Sequence, residues 1–291
     1  YFMSPENILD KVKKLRELTG VGFTDCKNAI DENKGDIEKS IEFLRKKGIA
    51  KASKKMERVA ADGLVSIFEK ENSFSIIEVN SETDFVAKNN EFIKFVEEIS
   101  NLTLLNFGKM EDILISKMEN KKSVKDNLIS LISKIGEKIT LRRSDFVGSD
   151  KFINFSYTHL AFKKNLGKIG VLLSIETTKK KNELVEFGKQ LAMHIAASSP
   201  LAIDKKDLNQ NILRREKEII SEELKNSGKN NKIVDKIAAG KLNKFVADNT
   251  LLNQEWIIEP KKKVKDVLKE VAGKDKIEIK KFTRFKVGEG F

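Results

Sequence analysis

Cysteine is almost missing from this sequence: Cys26 is the one example in 291 residues. A single thiol excludes an internal disulfide framework and fits a reducing cytoplasm. Proline is nearly as scarce, with 3 residues, and the chain has 2 tyrosines and 1 tryptophan. Stacking platforms for single-stranded nucleic acid are therefore sparse. Of the two histidines, His159 and His194, neither has a second His or Cys at metal-ligand spacing. A buried or interfacial hydrogen-bonding role is expected for each. No run of about 18 apolar residues occurs, so no membrane-spanning helix is expected. The start, Tyr1-Phe2-Met3-Ser4-Pro5, lacks the basic and apolar regions of a signal peptide, and Met3 is the expected native first residue.

Charge is abundant. Charged residues make up 34% of the chain and hydrophobic residues 40%, a balance that suits globular domains and is too apolar for disorder. The formal charge is +12, which by itself would suit a nucleic-acid partner. The cations, however, are 48 lysines and 8 arginines, whereas phosphate and base edges are usually read by arginine's fork. The lysines are also interleaved with acids, as in Lys11-Val-Lys-Lys-Leu-Arg-Glu17. They read as a solvated surface, and no direct nucleic-acid partner is expected.

The length suggests two or three domains, and the pattern along the chain is α+β. Residues 1–50 read as three short helices. The first follows the Ser4-Pro5 cap, with Ile8, Val12, Leu15 and Leu18 at helical spacing and Gly20 as its stop. The second is capped by Thr24 or Asp25 and ends near Gly35. The third is capped by Asp36, carries Ile37, Ile41 and Leu44 on one face, and ends at Gly48. So small a unit suits docking rather than chemistry. Residues 51–62 form a charged linker with partial helical character. From Gly63 the period changes to that of a strand pair, with Leu64, Ser66 and Phe68 answered by Ser75, Ile77 and Val79, and residues 69–73 as the turn. A helix bearing Phe92, Phe95, Val96 and Ile99 follows, then helical residues 110–135 and a strand from Lys138 to Arg143. The strand-pair-then-helix pattern returns about 90 residues later, at 155–162, 168–176 and the helix opening at Glu183, so two copies of one unit are expected. The expected domains are a core subdomain at 63–145, a second at 146–208 and 251–291, and an antiparallel helical hairpin inserted at 209–250. In that hairpin Ile212, Ile219 and Leu224 form one stripe, Ile233, Ile237, Leu242 and Phe245 the other, and residues 226–231 the turn. The closing part carries Trp256-Ile-Ile258, a helix at 264–271 and a strand at 277–287.

No enzymatic constellation survives inspection. Gly20-Val-Gly22 and Gly288-Glu-Gly290 do not continue as dinucleotide fingerprints, and no Gly-Lys pair is followed by Ser or Thr. Cys26 has no activating partner in view, and packing is its expected role. Asn80-Ser-Glu-Thr-Asp-Phe-Val-Ala-Lys-Asn89 stands out. One reading is a capped strand-to-helix turn with Phe85 folded into the core and Thr83 or Asp84 as cap. The other is a turn that presents Asp84 and Phe85 outward, an acid beside a hydrophobic wedge.

Seven segments, in order, carry a resemblance: Leu15-Arg-Glu-Leu-Thr-Gly-Val-Gly-Phe-Thr-Asp-Cys-Lys27, Ala60-Ala-Asp-Gly63, Glu78-Val-Asn-Ser-Glu-Thr-Asp-Phe-Val-Ala-Lys88, Lys134-Ile-Gly-Glu137, Arg142-Arg143, Met193-His-Ile-Ala-Ala-Ser198 and Arg284-Phe-Lys-Val-Gly-Glu-Gly290. Together they resemble the elongation factor Ts family over nearly the whole chain. The resemblance implies a ubiquitin-associated-like three-helix domain, a two-part core with antiparallel sheets and a coiled-coil hairpin; the hairpin's own apolar stripe leaves open a homodimer or packing on the core. It implies no active site and no cofactor, and a cytoplasmic protein that binds elongation factor Tu, GDP-bound or nucleotide-free, and speeds release of GDP. It assigns Thr83, Asp84, Phe85 and Val86 to displacement of the partner's Mg²⁺, with Asp84 and Phe85 intruding near its nucleotide. It assigns Arg16, Phe23 and Lys27 to the contact of the N-terminal domain with the partner's GTPase domain, and Ile135 and His159 to further contacts. Phe23 stands where a methionine is familiar in the family. The segment Leu160-Ala-Phe-Lys-Lys-Asn-Leu166 is longer than the family's short glycine-containing turn. Many members continue past the position of Phe291 into a further helix that touches the partner.

Overall fold

The computed structural model describes residues 8–19, 21–55, 57–225 and 231–290. The expected Ser4-Pro5 cap, the stop at Gly20 and residues 226–230 of the hairpin turn lie outside the described residues. Among those described, no helix is long and apolar enough to cross a membrane. The fold is α+β, as the pattern implied. It divides into two compact units, one of residues 1–68, 76–145 and 286–291, the other of residues 69–75 and 146–285.

The first unit opens with α1 (Ile8–Thr19), α2 (Phe23–Glu32) and α3 (Ile37–Lys55), which pack on one another. Val12, Leu15, Cys26, Ala29, Ile30 and Leu44 form their small core. Ile8 and Leu18, expected on the inner face, are exposed, because a core this small covers only the middle of α1. The second helix is capped at Gly22, two or three residues before the expected caps, with no side-chain cap. Asp36 accepts the Lys39 N–H at 3.0 Å, the capping bond its position predicted.

The third helix does not end at Gly48; it runs on to Lys55. Helix α3 packs against α7 (Val124–Ile135). The Ser133 hydroxyl donates to the Gly48 carbonyl at 3.2 Å, and a Cβ on Gly48 would lie 2.9 Å from that oxygen. The glycine is there for close approach between helices, not for a stop. Arg45 pairs with Asp126 at 2.9 Å across the same contact. Residues 51–55 of the expected linker are thus helix, in keeping with its partly helical reading.

The strand pair is β1 (Asp62–Lys70) and β2 (Ser73–Ser81). Its turn is tighter than expected, two residues with Glu71 at φ 57°. Residues 63–67 are buried without alternation, so both faces are covered, one of them by α5 through a 3.0 Å bond from Ser66 to Ser100. The short α4 (Asp84–Ala87) leads to α5 (Asn90–Leu105), whose N-cap Asn89 accepts from the backbone N–H of Glu91 and Phe92. Phe92, Phe95, Val96 and Ile99 are buried as predicted. Then come α6 (Met110–Ile115), α7 and β3 (Ile139–Gly148), which lies beside β2 in the order β3–β2–β1.

Glu78 of β2 is fully buried, and four donors converge on its carboxylate. Oε1 accepts from Asn80 Nδ2, Arg142 Nη1 and the Gly288 N–H, each at 3.0 Å, and Oε2 from Arg143 Nε at 2.6 Å. Burial pushes the carboxyl pKa up, but the bonds from Asn80, Gly288 and Arg143 outweigh it and hold the group below the usual carboxylate value. Gly288, at φ 73°, has no room for a side chain, since its Cβ would lie 2.1 Å from the Ala61 carbonyl oxygen. This contact explains why the last residues belong with the first unit and not, as expected, with the second.

The second unit contains β4 (Ile153–His159), β5 (Leu166–Gly167), β6 (Ile169–Thr177) and α8 (Lys181–Ser198). It continues with α9 (Gln210–Lys225), α10 (Asn231–Asn249), β7 (Glu255–Trp256), β8 (Glu259–Lys263), α11 (Val264–Ala272) and β9 (Ile277–Lys286). Strand β6 lies between β4 and β9; β4 and β6 are antiparallel, with Ile153 opposite Ile175 and His159 opposite Ile169. Leu173, Leu191, Ile195 and Trp256 are among the residues of its core. The helices α9 and α10 pack together. On α9 the buried residues are Leu213, Ile220 and Leu224, while Ile212 and Ile219 of the expected stripe are exposed. Leu224 is buried as predicted, while the first two positions of the stripe fall one residue on.

Glu78→Gln removes the charge that two guanidinium groups share in the interior, and should lower the unfolding free energy by about 3 kcal/mol in urea denaturation. Because the folded pKa of Glu78 is depressed, its contribution is complete above the unfolded value near 4.3 and is lost as the pH falls through the lower, folded value. The wild-type protein should lose stability on acidification below about pH 4.3 more steeply than Glu78→Gln.

Candidate functional site

The turn between β2 and α5 decides between the two readings of Phe85. The ring is 79% exposed, whereas the next two residues, Val86 and Ala87, are buried. The four-residue α4 is therefore pinned by its C-terminal half and presents the phenyl group to solvent. A ring this exposed does no packing work there, and aromatic rings are enriched among the anchors of protein interfaces. Asp84 is half-buried, and its carboxylate takes a 2.7 Å bond from the Lys88 ammonium, one helical turn on. The same bond raises the Lys88 pKa.

Thr83 occupies the N-cap position of α4 but makes no capping bond with its side chain. Its hydroxyl donates instead to Glu137 Oε1 at 2.8 Å and its N–H to Glu137 Oε2 at 3.0 Å. The neighbouring pair mirrors this arrangement: Glu82 Oε1 accepts the Lys138 N–H at 2.6 Å and takes Arg58 Nη1 as a further donor. Burial raises the Glu82 pKa, but the Lys138 N–H and Arg58 outweigh it and keep the carboxyl below its usual value. Two carboxylates thus exchange backbone partners across the turns at 82–83 and 137–138. The second of these turns follows Gly136, which ends α7 in the left-handed conformation at φ 86°. Ile135, half-buried, is the last residue of α7 and so stands beside this junction.

Sequence reasoning missed Glu82, Glu137, Lys138 and Arg58 as members of the site. Glu82 and Glu137 lie inside resemblance motifs, which was the available signal, but pairing across 54 residues has no local signature.

Arg16, Phe23 and Lys27 are all exposed on the three-helix unit. Phe23 and Lys27 are one turn apart on α2 and share a face. Arg16 of α1 lies close enough to act electrostatically on Cys26, which neighbours Lys27. Cys26 itself is buried, its thiol pKa pushed up by burial and its Sγ donating to the Val21 carbonyl at 3.4 Å. That is the packing role expected of it.

His159 belongs to the other unit. It is exposed at the end of β4, with Nδ1 3.1 Å from the Tyr157 hydroxyl. The extra length after it is an ordered loop, closed by the Phe162 N–H on the Leu166 carbonyl at 2.8 Å, and it exposes Leu160 and Phe162. His194 is buried. Its Nε2 lies 3.0 Å from Gln254 Oε1, and its ring stacks on Trp256 at 5.2 Å. Burial lowers its pKa, only partly offset by Gln254, so it is a neutral core residue near pH 7. Among the described residues no group of three or more His, Cys, Asp or Glu is placed to hold a metal ion.

Exposure separates the two neighbours in the turn. Phe85→Ala should leave the thermal unfolding free energy within about 0.5 kcal/mol of wild type, while Val86→Ala, inside the core, should cost about 2 kcal/mol. Calorimetry of the two variants measures both; a large loss for Phe85→Ala would return the ring to the core reading.

Comparison with known proteins gives this geometry a family. The family model for elongation factor TS matches residues 82–289, a span that includes both carboxylates of the exchange and Phe85. Curated relatives include the elongation factor Ts of Rickettsia prowazekii (strain Madrid E), 42% identical over 282 residues, which are 96% of this chain and 91% of the relative. The elongation factor Ts of Methylorubrum extorquens (strain PA1) is 41% identical over 282 residues, 96% of this chain and 92% of the relative. That of Bartonella henselae (strain Houston 1) is 40% identical over 285 residues, with the same coverage of each. The chain belongs to the elongation factor Ts family of translation factors.

Proposed function

We propose that this protein is a non-catalytic guanine-nucleotide exchange factor: it binds elongation factor Tu in its GDP-bound and nucleotide-free forms, promotes GDP release, and so allows GTP to reload during translation elongation. The observation that carries the reading is Phe85, exposed on a turn whose neighbours on both sides are fixed. In the proposed mechanism the ring enters beside the partner's nucleotide site and holds a packed region open. Asp84 comes with it toward the phosphates and Mg²⁺. Disturbing the coordination of that ion weakens nucleotide binding, because the metal bridges phosphates and protein ligands. Thr83 and Val86 set the turn's height, one bound to Glu137 and the other buried. Arg16, Phe23 and Lys27 form the N-terminal contact, with Ile135 and His159 as further ones. The factor needs no cofactor and no nucleic acid, and it acts in the cytoplasm. The finer architecture belongs to the same reading: a ubiquitin-associated-like module, a duplicated core, and α9 with α10 as a projecting coiled-coil hairpin able to pair with a second copy.

An exchange factor must bind the empty partner more tightly than the loaded one, since coupling between two ligands is reciprocal. With Mg²⁺ and GDP in place, Asp84 meets phosphate charge and an intact metal shell; with the site empty, neither opposes it. Lys88 offsets part of the Asp84 charge on approach. Calorimetric titration of this protein into elongation factor Tu should give an affinity at least about tenfold lower with Mg²⁺–GDP than without. Asp84→Asn should narrow that gap more than it weakens binding to the empty partner. Equal affinities in the two conditions would refute the mechanism.

A further inference from the structure

We propose that Glu137 is a positioning residue for nucleotide release: together with Glu82 it forms a rigid mount that keeps Phe85 from folding away under load. The inference rests on the exchange-factor reading.

A four-residue helix has no stability of its own, and α4 also forgoes the side-chain cap that Thr83 could provide. The threonine gives its hydroxyl and its N–H to Glu137 instead. The orientation of α4 is therefore dictated by a residue 54 positions away. A single carboxylate that accepts two bonds from one residue fixes direction as well as distance. The reverse bond, Lys138 N–H to Glu82, prevents the two turns from sliding past each other. Lys138 adds its ammonium to the Arg58 carbonyl at 2.8 Å, and Ser81 donates its hydroxyl to the Thr83 carbonyl at 2.9 Å. With Val86 and Ala87 buried, the backbone on both sides of Phe85 is held and the ring projects.

A wedge transmits force only if its base is stiffer than the site it opens. A loosened base lets the factor dock while the turn yields instead of the partner. The loss therefore falls on the step in which nucleotide leaves, not on docking. Glu137→Ala should lower the maximal rate of fluorescent-GDP release from elongation factor Tu by at least about tenfold, as loss of two hydrogen bonds to a charged carboxylate warrants. The half-saturating concentration should change little. Glu137→Gln, which keeps one acceptor, should recover part of the rate. The double variant Phe85→Ala/Glu137→Ala should be no slower than Phe85→Ala alone, because a mount without a wedge has nothing to hold. A fluorine-labelled phenylalanine placed at position 85 reads the mount directly: one narrow resonance in the wild type, a shifted or broadened one in Glu137→Ala. Thr83→Val, which replaces the hydroxyl by a methyl and leaves the N–H bond to Glu137, should perturb the resonance in the same direction and serves if Glu137→Ala does not fold. A wild-type maximal rate in Glu137→Ala, additive losses in the double variant, or an unchanged fluorine resonance would each overturn the proposal. Failure of Phe85→Ala itself to slow release would instead refute the exchange mechanism, and the fluorine resonance would still decide the mount.

Discussion

The Glu78 carboxylate is the constraint around which the first unit is arranged. A buried carboxylate is tolerated only when its oxygens are satisfied and its charge is matched, and Glu78 meets both conditions with donors from three separate stretches of chain. Arg142 and Arg143 are adjacent on β3, so without the shared anion two guanidinium groups would repel each other beside the interior. The Gly288 N–H brings in the end of the chain, which passes so close to Ala61 that only glycine fits. Gly63, with φ 130° and a virtual Cβ 2.1 Å from the Val79 carbonyl oxygen, permits the same closeness between β1 and β2. Four of the motifs that carry the family resemblance thus meet at one buried acid.

From that anchor the chain runs only three residues to Ser81, which is buried, and then into the exposed turn. The placement of Phe85 is set at two levels. Glu78 fixes where β2 ends, and the exchange between Glu82 and Glu137 fixes how the turn leaves it. The second level is tied to the three-helix unit through α7. Its first turn meets Arg45 through Asp126, Ser133 near its end meets Gly48, and its C-terminal turn delivers Glu137. The Arg45–Asp126 pair is largely exposed and contributes little by itself. The Gly48 contact, made at backbone distance, is the more specific of the two.

The class of the fold and most of its elements were legible because their periods are strong. The apolar face of α5 and the strands β4 and β6 needed no tertiary information. Three things were not legible, each for a physical reason. Gly48 reads locally as a stop, because the cost of glycine in a helix is visible in sequence and the helix pressed against it is not. Two of the three positions of the first hairpin stripe were one residue off, because Ile212-Leu213 and Ile219-Ile220 are adjacent apolar pairs and period alone does not choose between them; Leu224 was read correctly. Thr83 satisfies every local rule for an N-cap, yet its hydroxyl is claimed by Glu137, a competition that only the folded chain stages. The site residues with distinctive chemistry, Asp84 and Phe85, could be singled out from sequence; their support could not.

A motif shared with relatives mixes two kinds of residue, and only burial sorts them. Within residues 78–88, Glu78, Val79, Asn80, Ser81, Val86 and Ala87 are buried, while Phe85 and Lys88 are exposed. Most of the segment is therefore scaffold, held in place by packing and charge satisfaction. An exchange factor forms and breaks no covalent bond, so whatever it achieves must come from binding one state of its partner better than another. That difference is preserved only if the factor does not relax to fit the wrong state. In the proposed mechanism, the turn held by the two exchanged carboxylates is what supplies that resistance to the projecting ring of Phe85.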